Sequence, residues 1–416
     1  MKNSIRAALT AALLATTAAA VTAPAPALAQ AAAKPITVSA DVGKKLNEAN
    51  AKIAANDLDG ALALVKEAQG LKNLTDGDKY QITRFLGIVS VKKDDLVSAE
   101  QAFDALVRMP ILPEAEKAQT LLSAAGLASA NKNYDKVYEY VTMAEAANIK
   151  DSSLYVAAGN AAFMKNDPKA AESYAVKAVE VDKAAGKQSN RNVYDLMLQA
   201  QLQANNNAAA QTTMEQLAMN YGTSDDWGYA ISGAIGTTGA NDNTVVYLAR
   251  LATATGAKVV DADAKMYGDS AFRAGLLGDA QKAQEKGAPV PPLFAAKLAQ
   301  DKAAIPKAEA EAAKAKDGNV ALANAQSFYG YGDYAKAEAA ARDAIAKGGI
   351  KAPSDPNDAQ MVLGQSLAAQ GHYSEALPVF TAVKSSNAAI NKAALLWAGY
   401  AQQKLKQVSA PPAAAR

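Results

Sequence analysis

The chain has 416 residues, half of them hydrophobic but only 6% aromatic, with 43 Lys and Arg against 41 Asp and Glu. It has no Cys and a single His, His372, which excludes disulfides, cysteine nucleophiles, HExxH-type zinc sites and any Ser/His/Asp triad not built on that imidazole. So even a balance of charge gives no general pull on nucleic acid or anionic lipid, and neither is expected as a partner.

The first predicted element is an export signal. Lys2 and Arg6 form a positive start, residues 7–23 are uncharged and rich in Ala and Leu, and Ala27-Leu28-Ala29 supplies a small-x-small cleavage site before Gln30. Residues 1–29 therefore read as a signal peptide and 30–36 as a spacer. The leader is short for a bilayer span, and no later uncharged run approaches the roughly 20 residues a membrane helix needs. The expected location is the periplasm or the cell exterior, without membrane insertion.

Beyond the spacer the chain repeats itself. Gly332-Asp333-Tyr334-Ala335-Lys336-Ala337 matches Gly371-His372-Tyr373-Ser374-Glu375-Ala376, and weaker echoes begin at Asn133, Asn166 and Gly278. Each is a polar turn followed by the start of a helix and then a small residue. Taking that residue as anchor gives Ala61, Ala99, Val137, Ala171, Ala210, Val246, Ala283, Ala337 and Ala376, in steps of about 34–39 residues with one of about 54. Twelve positions earlier stand Gly87, Ala125, Gly159, Ala271, Ala325 and Gly364; four positions later stand Phe103, Val141, Met214 and Phe380. Two antiparallel helices explain the pattern, small residues letting backbones approach and a larger residue one turn on filling the adjoining hole. A bulky residue at Ala171 should cost roughly 1–3 kcal/mol in a denaturation curve, whereas change at Lys169, on the outer face, should be tolerated.

Gly159-Asn160-Ala161-Ala162-Phe163 with Tyr155, Ala171 and Ala178 resembles a tetratricopeptide (TPR) repeat, and Gly87/Ala99/Phe103 and Gly364/Ala376/Phe380 fit the same pattern. The chain is also similar to exported TPR-like proteins of bacteria. The resemblance implies an all-α solenoid of about nine hairpins with a C-terminal capping helix. It further implies a groove lined by first helices that holds protein or peptide partners and needs no cofactor. Its peptide-binding side chains are expected to include Tyr80, Arg84, Asn160 and Tyr194. In TPR units that clamp a carboxylate, a Lys stands where this chain has Val156, so Asn160 is read as holding backbone only.

Three regions depart from the array. Residues 222–243 hold two short helices about a Gly-rich turn; 288–292 are Pro-rich; 297–316 form one extra helix interrupted at Pro306. The resulting division is an N-terminal lobe over 37–290, a linker over 291–316, a C-terminal lobe and cap over 317–405 and a disordered tail over 406–416. Leu395, Leu396 and Trp397 mark the cap's packed side, and Gln402, Gln403, Lys404 and Lys406 its wet one.

Other candidates for chemistry are few. His372 reads as a solvated helix-start residue. Phe328 reads as core, and Tyr329 and Tyr331 beside it as possible ligand contacts. Ser90-x-x-Lys93 and Ser129-x-x-Lys132 match part of a penicillin-binding-protein signature, but no Lys-Thr-Gly or Ser-Asp-Asn accompanies them. Asp225-Asp226-Trp227 offers an alternative function, a carboxylate-dependent hydrolase of cell-wall or polysaccharide material. Adjacent carboxylates on one helix diverge by about 100°, a poor fit to opposite sides of a scissile bond. Ser224 or Asp225 is instead expected to cap that helix, with Trp227 packed on the preceding hairpin.

Overall fold

The computed structural model describes residues 36–258, 261–289 and 291–409, and all their regular structure is α-helical. The expected signal peptide, the spacer up to residue 35 and the end of the expected tail lie outside the described residues. The chain divides into two compact units between Asn206 and Asn207.

The N-terminal unit holds α1 (Ala40–Ala54), α2 (Leu58–Gln69), α3 (Asp76–Lys92), α4 (Leu96–Val107), α5 (Glu114–Ala130), α6 (Tyr134–Ala146), α7 (Ser152–Met164), α8 (Pro168–Ala184) and α9 (Arg191–Gln203). The first eight form four antiparallel pairs, each packed on the next. The polar turn of the sequence repeat has a definite conformation. Asn56, Asp94, Lys132 and Asn166 each adopt positive φ, directly before the residue that caps the second helix. Asn and Asp tolerate this region, whereas Lys132 takes it at some strain. The caps Asp57, Asp95 and Asp167 then accept hydrogen bonds from the backbone N–H groups of Gly60, Ser98 and Ala170. Four residues past each cap comes the anchor, and Ala61, Ala99, Val137 and Ala171 are all completely buried.

The expected helix crossings are present. A Cβ on Gly87 would lie 3.0 Å from the Phe103 ring, and one on Gly159 would lie 3.3 Å from the Ala171 carbonyl. On α5, by contrast, a Cβ on Gly126 would meet nothing within 4 Å. Successive pairs are also joined by polar bridges. Glu100 accepts from Asn131 at 2.6 Å and Asn133 at 2.8 Å, Glu172 accepts from Gln201 at 2.9 Å, and Asp104 accepts from Lys136 at 2.7 Å and the Tyr140 hydroxyl at 2.9 Å.

Asp104 makes this unit acid-sensitive. Burial by itself would raise its carboxyl, but hydrogen bonds from Arg108, Lys136 and Tyr140 outweigh it and hold the group at about 2. Because the folded value lies below the unfolded one, the associated stability is present above about pH 4 and lost as pH falls towards 2. In urea denaturation, wild type should be more stable than Asp104→Asn at pH 6, and the gap should close towards pH 2. A gap that stays constant with pH would contradict this.

The C-terminal unit holds α10 (Asn207–Tyr221), α11 (Ser224–Ile235), α12 (Asp242–Thr255), α13 (Asp261–Arg273), α14 (Leu277–Glu285), α15 (Phe294–Lys314), α16 (Asn319–Tyr331), α17 (Tyr334–Lys347), α18 (Asp358–Ala369), α19 (Tyr373–Thr381) and α20 (Ala388–Ser409). The same turn recurs, now with Gly275, Gly332 and Gly371 at positive φ. It corrects the register of one repeat. The residue four past the cap Leu276 is Ala280, 2% exposed, rather than Ala283, and twelve before it stands Gly268 rather than Ala271. The cap Asn241 likewise places Val245, not Val246, at the anchor. Gly278, read as part of a turn, lies inside α14, where a Cβ would sit 2.5 Å from the Gly330 backbone of α16.

Gly364 is the tightest of the expected crossings: a Cβ there would lie 2.6 Å from the Phe380 ring, which itself stacks on Trp397 at 5.5 Å. Gly364→Ala should therefore cost about 1–3 kcal/mol by overpacking. Gly126→Ala, with open space and a helical backbone, should be neutral or stabilise by up to about 1 kcal/mol. Paired guanidinium denaturation curves read both; equal effects at the two sites would contradict the packing.

The terminal helix α20 caps α19 as expected, and it does more. Its other side packs on α10, α11 and α12, so that the last helix of the unit meets the first. Lys392 pairs with Glu215 at 2.8 Å, Asn387 donates to the Gly239 carbonyl at 2.8 Å, and the Trp397 indole N–H donates to the Tyr247 carbonyl at 3.0 Å. Leu395 and Gln402 stay on an exposed side, while Leu396, Trp397 and Ala401 are buried. The helix runs to Ser409, so residues 406–409, expected in the tail, are helical. The division expected near residue 290 falls inside this unit instead, because Tyr247 and Leu251 share one core with Phe328, Met361 and Trp397.

Candidate functional site

In the N-terminal unit the expected groove residues separate into two kinds. Tyr80 is 1% exposed and its hydroxyl donates to Glu116 at 2.6 Å. Burial, and then that bond, push its ionisation far up. Tyr194 is buried as well. These two are wall residues, which their aromatic character alone does not distinguish from contact residues. Arg84 is half-buried and Asn160 exposed.

Arg84 and Asn160 belong to a regular strip. One stands three before, the other one after, the small residue of its first helix, positions that lie one turn apart on the same face. On α3, α5, α7 and α9 these positions are Arg84 and Ile88, Leu122 and Gly126, Val156 and Asn160, and Asp195 and Gln199. None of the eight is buried. The helices α5, α7 and α9 touch in succession, so the strip is continuous across them. Its surface mixes aliphatic and neutral polar groups with one Arg and one Asp.

In the C-terminal unit Lys265 and Asp269 of α13 stay accessible at these positions, but Ala230 and Ala234 on α11, Leu322 and Gln326 on α16, and Met361 and Gln365 on α18 are all buried. What covers them is the unit's own chain, with α12 in the middle. Arg250 of α12 donates to Asp279 at 3.0 and 2.7 Å and to the Gln365 side-chain oxygen at 2.9 Å, and lies 4.1 Å over the Tyr329 ring. Burial would weaken the guanidinium's hold on its proton, but Asp279 beside it prevails and raises it. Tyr329, expected as a possible ligand contact, is thus 6% exposed and engaged with Arg250. Tyr331 donates to Asp301 of the extra helix.

Around Arg250 the packing leaves two adjoining cavities. One, of about 350 Å³, lies among α12, α13 and α14 and has Tyr267, Asp279, Lys282 and Tyr334 in its wall. The other, of about 220 Å³, is lined by Tyr329, Tyr334, Tyr373, Trp397 and Tyr400, and both touch Arg250 and Thr253. Lys282 is half-buried and, among the described residues, donates only to the Tyr329 carbonyl, at 3.3 Å. Burial lowers its affinity for a proton, Asp279 opposing. A wider hollow of about 770 Å³ beside Pro291 and Phe294 has no buried polar group in its wall.

The carboxylates considered for hydrolysis are structural. Thr223, not Ser224 or Asp225, caps α11, and Asp226 closes the capping box by accepting from the Thr223 backbone N–H at 3.3 Å. Asp225 pairs with Lys258 at 3.0 Å, and Trp227 packs edge-on against Tyr400 of α20 at 6.3 Å and shares a core with Ala218 of the preceding helix. His372 is exposed at the start of α19. Lys93 follows the end of α3 and pairs with Asp59. Among the described residues no group of three or more His, Cys, Asp or Glu is placed to hold a metal ion.

No family model matches the chain, and no curated protein matches it. Solved structures of TPR proteins are similar to it in part. The TPR2AB domain of yeast Sti1, in complex with pHSP90, is 14% identical over 80% of this chain and 97% of that one, at a TM-score of 0.25. The P58(IPK) TPR domain is 14% identical, covering 89% and 100%, at 0.24, and yeast Tom70 is 12% identical, covering 89% and 99%, at 0.20. Likenesses this distant leave the TPR-like character to the hairpins themselves, with their shared turn, anchor and crossing.

Proposed function

We propose that the protein is an exported, non-enzymatic scaffold that holds an extended or helical segment of another protein along the strip of its N-terminal unit. The observation that carries this is the contrast at equivalent positions, open on α3, α5, α7 and α9 and filled by the unit's own chain on α11, α16 and α18, with Leu46 of α1 buried and Lys265 and Asp269 of α13 accessible as the exceptions. A strip of aliphatic and neutral polar groups favours recognition by shape, hydrogen bonds and apolar contact over charge. Export is supported by the leader with Lys2, Arg6 and Ala27-Leu28-Ala29. The absence of enzymatic work is supported by Asp225 and Asp226, both committed to local bonds.

The test is photocrosslinking in cells, with a photoreactive residue at Leu122 or Asn160 and, on the outer face, at Lys169. The expected result is one and the same protein partner captured from both strip positions and not from Lys169. Adducts of equal yield at Lys169, or none from the strip, would count against the reading.

A further inference from the structure

The cavities beside Arg250 have a chemistry of their own. Their aromatic faces already carry cations: Arg250 lies over Tyr329 at 4.1 Å, Lys282 lies 5.8 Å from both Tyr329 and Tyr334, and Lys404 is 5.5 Å from Tyr400. A further cation would meet like charge on several sides, so the rings are not a cage for an ammonium group. Of the positive groups, Arg250 is matched by Asp279, whereas Lys282 forms no salt bridge among the described residues and has one long hydrogen bond. Asp279 acts on this half-buried ammonium only across space, and although Asp261 and Asp279 share the cavity wall, Arg250, Lys282 and Lys286 outnumber them, so an incoming carboxylate would give Lys282 the direct ion pair it lacks. The larger cavity, at about 350 Å³, falls within the roughly 300–1,000 Å³ usual for small-molecule sites.

We propose that the two adjoining cavities bind a small organic anion, its flat apolar body among Tyr334, Tyr373 and Tyr400 and its carboxylate against Lys282. The site lies wholly within the C-terminal unit and stands or falls independently of the strip on α3–α9. An aryl carboxylate of this kind could be a free metabolite or the terminal aromatic residue of a peptide.

Isothermal titration of the full chain with N-acetyl-L-phenylalanine, and with its uncharged amide, tests the proposal. The acid should bind at least about tenfold more tightly than the amide, and Lys282→Met should abolish that difference. The same variant should keep or raise the thermal midpoint, because it removes a half-buried charge that has no direct ion pair, so lost binding cannot be put down to unfolding. A heptapeptide ending in Phe separates the sources: binding as tight as the acid or tighter points to a peptide terminus, and clearly weaker binding points to a free acid. Equal affinity for acid and amide, no heat from either at millimolar concentration, or binding unchanged in Lys282→Met would overturn it.

Discussion

Arg250→Met should destabilise the C-terminal unit by roughly 3–5 kcal/mol. The side chain of Arg250 is 3% exposed and that of Asp279 10% exposed, so removing the guanidinium leaves a buried carboxylate without its partner. Gln365 loses its donor in the same step. The loss belongs to the broken pair, not to the worth of the pair itself. Replacing both members, Arg250→Met with Asp279→Leu, should therefore recover much of it, since a well-packed apolar pair of similar volume is often as stable as a buried ion pair. Both Trp residues of the chain, Trp227 and Trp397, lie in this unit, so denaturation followed by their fluorescence reads it directly. A loss under about 1 kcal/mol, or a double variant worse than the single, would contradict the account.

Trp397→Ala should cost a similar amount, about 3–5 kcal/mol. The ring is 1% exposed, stacks on Phe380 at 5.5 Å and meets Tyr400 edge-on at 5.8 Å. The location of the damage is as informative as its size. Were α20 only a cap, the variant would fray residues 388–409 and leave α10–α12 intact. With α20 packed between α19 and α12, hydrogen exchange should quicken in α11 and α12 as well. Trp397→Phe, keeping a ring but losing the hydrogen bond to Tyr247, should cost less, about 1–2 kcal/mol. Unchanged exchange in α12 would show that the closure has no energetic weight.

Much of the fold is legible in the sequence because local rules dictate it. The anchors Ala61, Ala99, Ala171, Ala337 and Ala376 and the crossings Gly87–Phe103 and Gly364–Phe380 follow from spacing within one hairpin, where sequence neighbours are spatial neighbours. The seventh repeat slips by three residues because Gly278-Asp279 looks like the polar turn Gly332-Asp333. Yet Gly278 serves a helix crossing with Gly330, and Gly275 makes the turn. Closure of the C-terminal unit is not legible. Leu396 and Trp397 satisfy a cap and a closing helix equally well, and the partner Tyr247 lies 150 residues away. One signal does point to it: Arg250 stands alone in the run Val245-Val246-Tyr247-Leu248-Ala249-Arg250-Leu251-Ala252, where a surface helix would carry more charge.

The candidate site is harder to read. Arg84 and Asn160 stand out singly, and only their placement one turn apart around the Gly positions, three before Gly87 and one after Gly159, reveals a strip that takes in Ile88, Leu122, Gly126 and Gln199. Tyr80 sits on the same helix as Arg84 but faces Glu116 of the next hairpin, and Tyr194 is buried. A first helix has two sides of mixed polarity, and composition does not tell the wet one from the packed one.

Whether the C-terminal unit closes on itself can be asked of the unmodified protein by zero-length carbodiimide coupling and mass spectrometry. Lys392 and Glu215, 2.8 Å apart across 177 residues of sequence, should be joined by an amide bond, alongside local pairs such as Lys165 and Asp135 at 2.7 Å. Efficient coupling of Lys165 to Asp135 with Lys392 found free, or joined only to acids outside α10–α12, would contradict the closure.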